Sequence, residues 1–289
     1  MSDLNFADCM GCGLCILGCP AYEETGFDVL TARGRNKGLQ AGLTASEMAA
    51  SIWACTLCGY CDAICPSEVR NVDIVLHLRR EQALRLGEAQ AGAAPVAGAA
   101  LVLGCTIRER APHLIPSIRE FLSLIGRSSE MSGDACCGSL DVEAGRALRV
   151  KVKAGVVADP VCIEQYDAEF LGALAMQHLE LFDLEPPFYY YAPHRLVNRD
   201  HARMYPLYER LRRRFDCDMN FDLNRLARST SAGSLQGLSG QNARDIPAAV
   251  ARLLEHSRAE RIVTCSPADY LAFKAYSGRD TFYITECLR

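Results

Sequence analysis

Apolar residues recur first with helical spacing and later as short unbroken runs, and that change divides the chain. Leu43, Met48 and Ile52 share a helical face behind a Thr44-x-x-Glu47 capping box, so part of 43–53 is expected to be helix. Val72 to Leu86 repeats that spacing, with Ile74, Val75, Leu78 and Leu84 on one side, and stops at Gly87. Residues 87–98 are small and aperiodic, a linker. Beyond them apolar runs alternate with amphipathic stretches, the pattern of an α/β unit. Ala99–Gly104 and Gly155–Ala158 read as strands; Pro116–Ile125 and a segment from about Ile163 read as helices.

The same order then returns. Phe188–Tyr191 reads as a strand, Met204–Phe215 as a helix and Arg261–Thr264 as a strand. Ser231-Ala232-Gly233-Ser234-Leu235 echoes Cys136-Cys137-Gly138-Ser139-Leu140, and Ser266-Pro267-Ala268-Asp269 echoes Asp159-Pro160-Val161-Cys162. The spacings agree loosely, as in a duplication that has drifted. The expected class is α+β: a mostly helical unit at 1–86, the linker 87–98, and two α/β modules at 99–187 and 188–289.

Composition adds limits. At 289 residues, 49% hydrophobic and 23% charged, the chain can build a core and is not disordered. A formal net charge of −4 argues against a nucleic-acid binder. No apolar run approaches the ~20 residues that span a bilayer. The outlying number is 15 cysteines. An odd count, and a start without a basic flank or apolar signal stretch, point to a reducing, cytoplasmic setting and to metal or redox thiols.

Eight of the fifteen fall in two copies of one run: Cys9, Cys12, Cys15, Cys19-Pro20 and Cys55, Cys58, Cys61, Cys65-Pro66. This is the C-x₂-C-x₂-C-x₃-C-P spacing that ligates [4Fe–4S] clusters in two-cluster ferredoxins, the fourth cysteine serving the other cluster. Cys9, Cys12, Cys15 and Cys65 are therefore expected on one cluster, and Cys55, Cys58, Cys61 and Cys19 on the second. Gly11, Gly13 and Gly59 ease the backbone around the sulfurs. Zinc, the alternative, usually takes paired C-x-x-C rather than triplets followed by C-P.

With these motifs, including Trp53-Ala-Cys55-Thr-Leu-Cys58-Gly-Tyr-Cys61 and Val72-Asp-Ile74…Leu78-Arg79, the first part resembles the small two-cluster subunit of heterodisulfide reductases. The remainder resembles another subunit of those enzymes and its relatives, which carry paired cysteine-rich CCG modules. The same fusion occurs in iron–sulfur subunits of glycolate oxidase and anaerobic glycerol-3-phosphate dehydrogenase. In the first module the resemblance implies Cys105, Cys136, Cys137 and Cys162 as ligands, with Asp159 in place of one expected cysteine. They imply a third centre, a noncubane [4Fe–4S] cluster in preference to zinc, carboxylate oxygen being an acceptable ligand for either metal; ordinary buried thiols are the alternative. In the second module His194, Ser231, Ala232, Ser266 and Asp269 stand where ligands are expected, which implies a fold that has lost its cluster. Cys217, Cys265 and Cys287 fall outside the pattern and are expected in the core.

The resemblance implies an electron-transfer subunit of a multi-subunit oxidoreductase. A flavoprotein partner would deliver electrons, and the acceptor would be a partner, a quinone or a small thiol or disulfide. The alternative is a catalytic role on a sulfur substrate at the third centre; no catalytic residue is assigned. Seven arginines between 195 and 214, against Asp200 and Glu209, read as a solvated face or as a docking face for an acidic partner or a peripheral membrane contact. Gly233–Gly240 lacks a P-loop lysine and reads as a flexible loop. His77, His113, His178, His201 and His256 are isolated and read as satisfied side chains.

Overall fold

The computed structural model describes residues 4–89, 95–131, 136–240 and 242–289. Residues 90–94 of the linker, and Ala135 before the Cys136-Cys137 pair, lie outside them. Helix outweighs strand, 49% against 12%, in an α+β arrangement with small parallel sheets.

The first unit is a set of short helices: α1 Pro20–Thr25, α2 Ala32–Gln40, α3 Ala49–Ala54, α4 Tyr60–Ala63 and α5 Asn71–Arg85. They enclose a core that includes Leu39, Met48, Ile52, Leu57, Val72, Val75 and Leu78. The Thr44–Glu47 box forms, with reciprocal bonds of 2.8 and 3.3 Å, but it caps a turn and the helix begins only at Ala49. On α5, Leu84 is exposed and Arg79 and Gln82 take the buried places. Ile74, Leu78 and Gln82 are four apart and form one stripe, from which Leu84 is turned away.

The remainder is two parallel sheets. The first has β1 Leu101–Val102, β2 Val152–Val157 and β3 Tyr166–Phe170, in the order β1-β2-β3, with Met131 bridging to Leu101 on the outer side of β1. Helices α6 Ile115–Leu124, α7 Ser139–Glu143 and α8 Leu171–Gln177 accompany it. The second has β4 Phe188–Tyr191, β5 Asp218–Met219, β6 Arg261–Thr264 and β7 Asp280–Tyr283, in the order β5-β4-β6-β7. Its helices are α9 His194–Arg199, α10 His201–Phe215, α11 Leu235–Ser239, α12 Ile246–Leu254 and α13 Pro267–Tyr276. With the Met131 bridge counted in place of β5, the two sheets share one strand order.

One core joins the modules. Leu101, Phe121, Val156, Phe170 and Leu171 of the first pack with Phe188, Tyr190, Tyr208, Val263 and Tyr283 of the second. Along β4, Phe188 and Tyr190 enter that shared core while Tyr189 and Tyr191 enter another with Val250, Ile262 and Phe273, as the two-residue period of a strand demands.

Two segments differ from expectation. The helix expected from Ile163 is one 3₁₀ turn, Ile163–Gln165, followed by β3; Tyr166 and Phe170, four apart, are buried at the ends of an edge strand that alternation alone did not reveal. The expected loop at 233–240 contains α11, capped by the Ser234 hydroxyl and ended by Gly240 at φ 71°.

Candidate metal centres

The first cysteine run opens on the left-handed glycines Gly11 (φ 82°) and Gly13 (φ 85°), which let the backbone fold tightly enough to aim several thiols inward. Cys9, Cys12, Cys15 and Cys65 line one cavity of about 350 Å³ together with Arg33, Asn36 and Asn71. The second run turns at Leu57 (φ 55°) and Gly59 (φ 78°). Cys19, Cys55, Cys58 and Cys61 line a second cavity of about 380 Å³, with Arg35 and Tyr60. Cys15 lines both, so the two cavities share a wall. The fourth cysteine of each run thus lies in the cavity of the other run.

The cavities differ in exposure. Cys12 is exposed, and Met10 beside it is 68% exposed, whereas Cys58 is buried. Burial pushes the Cys58 thiol up to about 12, with Cys19 and Cys55 adding to the rise and the Tyr60 N–H and Thr56 hydroxyl opposing it. Burial likewise raises Cys15 to about 11 and Cys61 well above the ordinary thiol value. Metal binding here requires these thiols to lose their protons, which burial by itself opposes. Four sulfurs around the first cavity, and five around the second with the shared Cys15, fit polynuclear clusters. Among the described residues, no three His, Cys, Asp or Glu side chains converge on a single ion.

In the first module, Cys105 ends the β1 segment at the start of a π-helical turn, Thr106–Arg110, a local distortion often found at functional sites. The Cys137 and Cys162 sulfurs are 3.1 Å apart. Cys136 Sγ accepts from Gly138 N at 3.4 Å, and the Cys105 and Cys137 thiols act on its ionisation, so the four cysteines lie close together. Asp159 is fully buried beside Cys162, with Oδ1 accepting from Val161 N at 2.9 Å. Burial raises its carboxyl to about 6, against the Val161 N–H and the Thr106 hydroxyl. A Cβ on Gly104 (φ 85°) would sit 2.6 Å from Asp159 Cβ and 3.1 Å from Cys162 Sγ, so only glycine admits this approach. Four thiols and one carboxylate are donors of the type iron accepts, and since among the described residues no three of them converge on a single ion they suit a polynuclear centre in preference to zinc.

The corresponding place in the second module is a closed hydrogen-bond knot. His194 bonds Tyr191 OH through Nδ1 (2.8 Å) and Ser229 Oγ through Nε2 (3.0 Å). Asp269 accepts from the Ser266 hydroxyl at 2.5 Å and from the Thr230 hydroxyl. Ser231 and Ala232 are buried beside it, and Ser231 N donates to Ser229 Oγ at 2.9 Å. Burial, aided by Arg195 and Arg199, holds His194 down at about 3, neutral. Ser229, Thr230 and Tyr191 carry this knot, and sequence comparison of the modules did not single them out. Cys217, Cys265 and Cys287 are buried in the shared core.

The arginine-rich segment divides. Arg203, Arg212 and Arg213 are exposed and pair with Asp200 and Glu209. Arg195 and Arg199 instead point inward, to Glu143 and Glu164, so these two form no docking face.

Residues 5–69 match the family described as the 4Fe-4S dicluster domain. Over 78 residues the chain is 33% identical to the C-type subunit of the ferredoxin/F(420)H(2)-dependent CoB-CoM heterodisulfide reductase of Methanosarcina acetivorans, covering 27% of this chain and 46% of that protein. Over 76 residues it is 34% identical to the C-type subunit of the H(2):CoB-CoM heterodisulfide,ferredoxin reductase of Methanothermobacter thermautotrophicus, covering 26% and 40%. It is also 30% identical to the fumarate reductase iron-sulfur subunit of Escherichia coli over 75 residues, 22% of this chain and 31% of that one. The N-terminal part is thus a ferredoxin-like 4Fe-4S domain, homologous to the C-type subunit of heterodisulfide reductases, and supports an iron–sulfur electron-transfer role. The matched stretches span less than half the length of these relatives, all of them oxidoreductase subunits.

Proposed function

We propose that the chain is an electron-transfer subunit of a heterodisulfide reductase-type complex, with Cys9, Cys12, Cys15 and Cys65 holding one [4Fe–4S] cluster and Cys19, Cys55, Cys58 and Cys61 the second. The supporting observation is the crossing of the fourth cysteines between two adjoining cavities. Clusters there supply one-electron steps without proton chemistry. The chain's own residues fix their order: the rim of the first cavity, with exposed Cys12 and Met10, is the face offered to a flavoprotein or other redox partner, and the second cavity lies inward.

A third centre at Cys105, Cys136, Cys137, Cys162 and Asp159 completes the reading, the two modules being CCG modules of which the second has exchanged its ligands for the His194–Asp269 knot. Acceptor chemistry then falls to a partner, a quinone or a small thiol or disulfide. The burial of Asp159 favours a second reading, in which a softly held carboxylate ligand gives way to a sulfur substrate at this centre. Anaerobic purification with iron, sulfide and zinc counts and EPR tests the proposal. About twelve irons without zinc are expected, about eight would remove the third centre, and fewer than about four would overturn the reading. A substrate-induced change in the third centre's spectrum separates catalyst from conduit.

A further inference from the structure

Six consecutive carbonyls, Trp53 to Cys58, each accept a hydrogen bond from a side chain. Gln236 Nε2 donates to Trp53 O (2.7 Å) and Cys55 O (2.9 Å), and Arg79 Nη2 also reaches Cys55 O (2.5 Å). Arg244 donates to Ala54 O, Arg195 to Thr56 O (3.4 Å), Arg199 to Leu57 O (2.9 Å) and Asn198 to Cys58 O (3.2 Å). Apart from Arg79, every donor comes from the second module. Three of the arginines repeat one design: Nη2 goes to a loop carbonyl and Nη1 to a carboxylate, Glu143 for Arg195, Glu164 for Arg199 and Glu24 for Arg244. The carboxylate orients each guanidinium, and the cation faces the loop.

Residues 54–61 line the second cavity with their other side. In a trans peptide the C=O and N–H point in opposite directions, so the Cys55–Cys58 carbonyls, drawn outward, set the Thr56–Gly59 N–H groups on the cavity side, whereas the Cys55 N–H is held by Ile52 O at 3.4 Å. Around the first cavity the like contacts are Lys37 Nζ (2.9 Å) and Gln40 Nε2 (3.0 Å) on Cys9 O, in exposed positions where water weakens them.

We propose that the second module, its own ligand set replaced, serves as the outer holder of the second cluster, with Arg195, Asn198, Arg199, Gln236 and Arg244 as positioning residues that raise that cluster's reduction potential above the first. The proposal rests on the ligand reading for Cys19, Cys55, Cys58 and Cys61. Its physical basis is that a cluster held by four thiolates is anionic and gains negative charge on reduction, so inward N–H dipoles and guanidiniums placed nearer the loop than their paired carboxylates favour the reduced form.

The test is an EPR-monitored redox titration of the full chain, kept anaerobic, with Cys12→Ser and Cys58→Ser assigning the two signals. In the wild type the second cluster should reduce at the higher potential. Arg199→Gln should lower that potential and leave the first cluster's unchanged, while Arg199→Lys should retain most of the wild-type value. Gln236→Leu, which removes two bonds and no charge, should produce a smaller shift of the same sign and serves if Arg199→Gln does not fold. With about eight ferredoxin-type irons present, unmoved or equally moved potentials overturn this proposal alone. A wild-type chain without iron in these two sites overturns the ligand reading, and the proposal with it.

Discussion

Glu143 is buried where the three parts of the chain meet. Its Oε1 pairs with Arg195 at 2.5 Å, its Oε2 accepts from Leu235 N at 3.0 Å, and its backbone carbonyl accepts from Arg79 at 2.8 Å. Burial would lower the Arg195 guanidinium, but Glu143 and Glu164 hold it above its ordinary value. Glu143→Gln should therefore cost about 3–5 kcal/mol, because it leaves a buried cation short of its partner; chemical unfolding of the variant measures this, and a loss under about 1 kcal/mol would mean the pair carries little. His194 gives a pH dependence. Its folded value of about 3 lies below the free value of 6.5, so only the unfolded chain takes up the proton between them. The stability from neutral His194 is complete above about pH 6.5 and is lost as pH falls toward about 3. His194→Gln should flatten the thermal-stability profile between about pH 6 and pH 4, and an unchanged slope would exclude a neutral buried imidazole.

At the scale of elements, the crossing of Cys19 and Cys65 ties the two cysteine runs together. Cys19→Ser should disturb the same spectroscopic signal as Cys58→Ser, and Cys65→Ser the same as Cys12→Ser. Signals that group by run instead would refute the crossing. Gly18 sets how closely the two runs pack, since a Cβ there would run into the Tyr60 ring. Gly18→Ala should cost about 1–3 kcal/mol, read by thermal unfolding. The cysteine runs were legible because ligand chemistry fixes residue type and spacing together. Strands β5 and β3 were not: Asp218–Met219 is two residues long, and Tyr166–Phe170 alternates too briefly to show its period. The role of Arg195 and Arg199 was hidden for another reason. A run of arginines reads alike whether it faces water or a backbone carbonyl across the fold, and only tertiary placement separates the two.

At the scale of the molecule, the first unit is bound to the modules by polar contacts as well as by the Trp53–Cys58 loop. Tyr60 OH donates to Asp222 Oδ2 at 2.5 Å, Glu23 pairs with Arg228 at 2.6 Å, and Arg80 reaches the Arg146 carbonyl at 2.6 Å. Residues 1–86 produced alone should keep the first cluster and lose the second, so iron retained after gel filtration should fall to about half that of the two ferredoxin-type sites in the full chain. Equal retention would show that the modules contribute nothing to the second site.

The long sequence separation of those loop contacts also has a consequence in time. Thr56 and its partner Arg195 are 139 residues apart, and Ala54 and Arg244 are 190 apart. A chain made from its N-terminus presents the second cysteine run long before the side chains that brace it exist. On the ligand assignment and bracing role proposed above, the first site is filled on the nascent chain, whereas the second matures only after the C-terminal module has folded. In the two ferredoxin-type sites alone, ribosome-bound chains halted before Arg195 should accordingly carry about four irons, and released chains about four more.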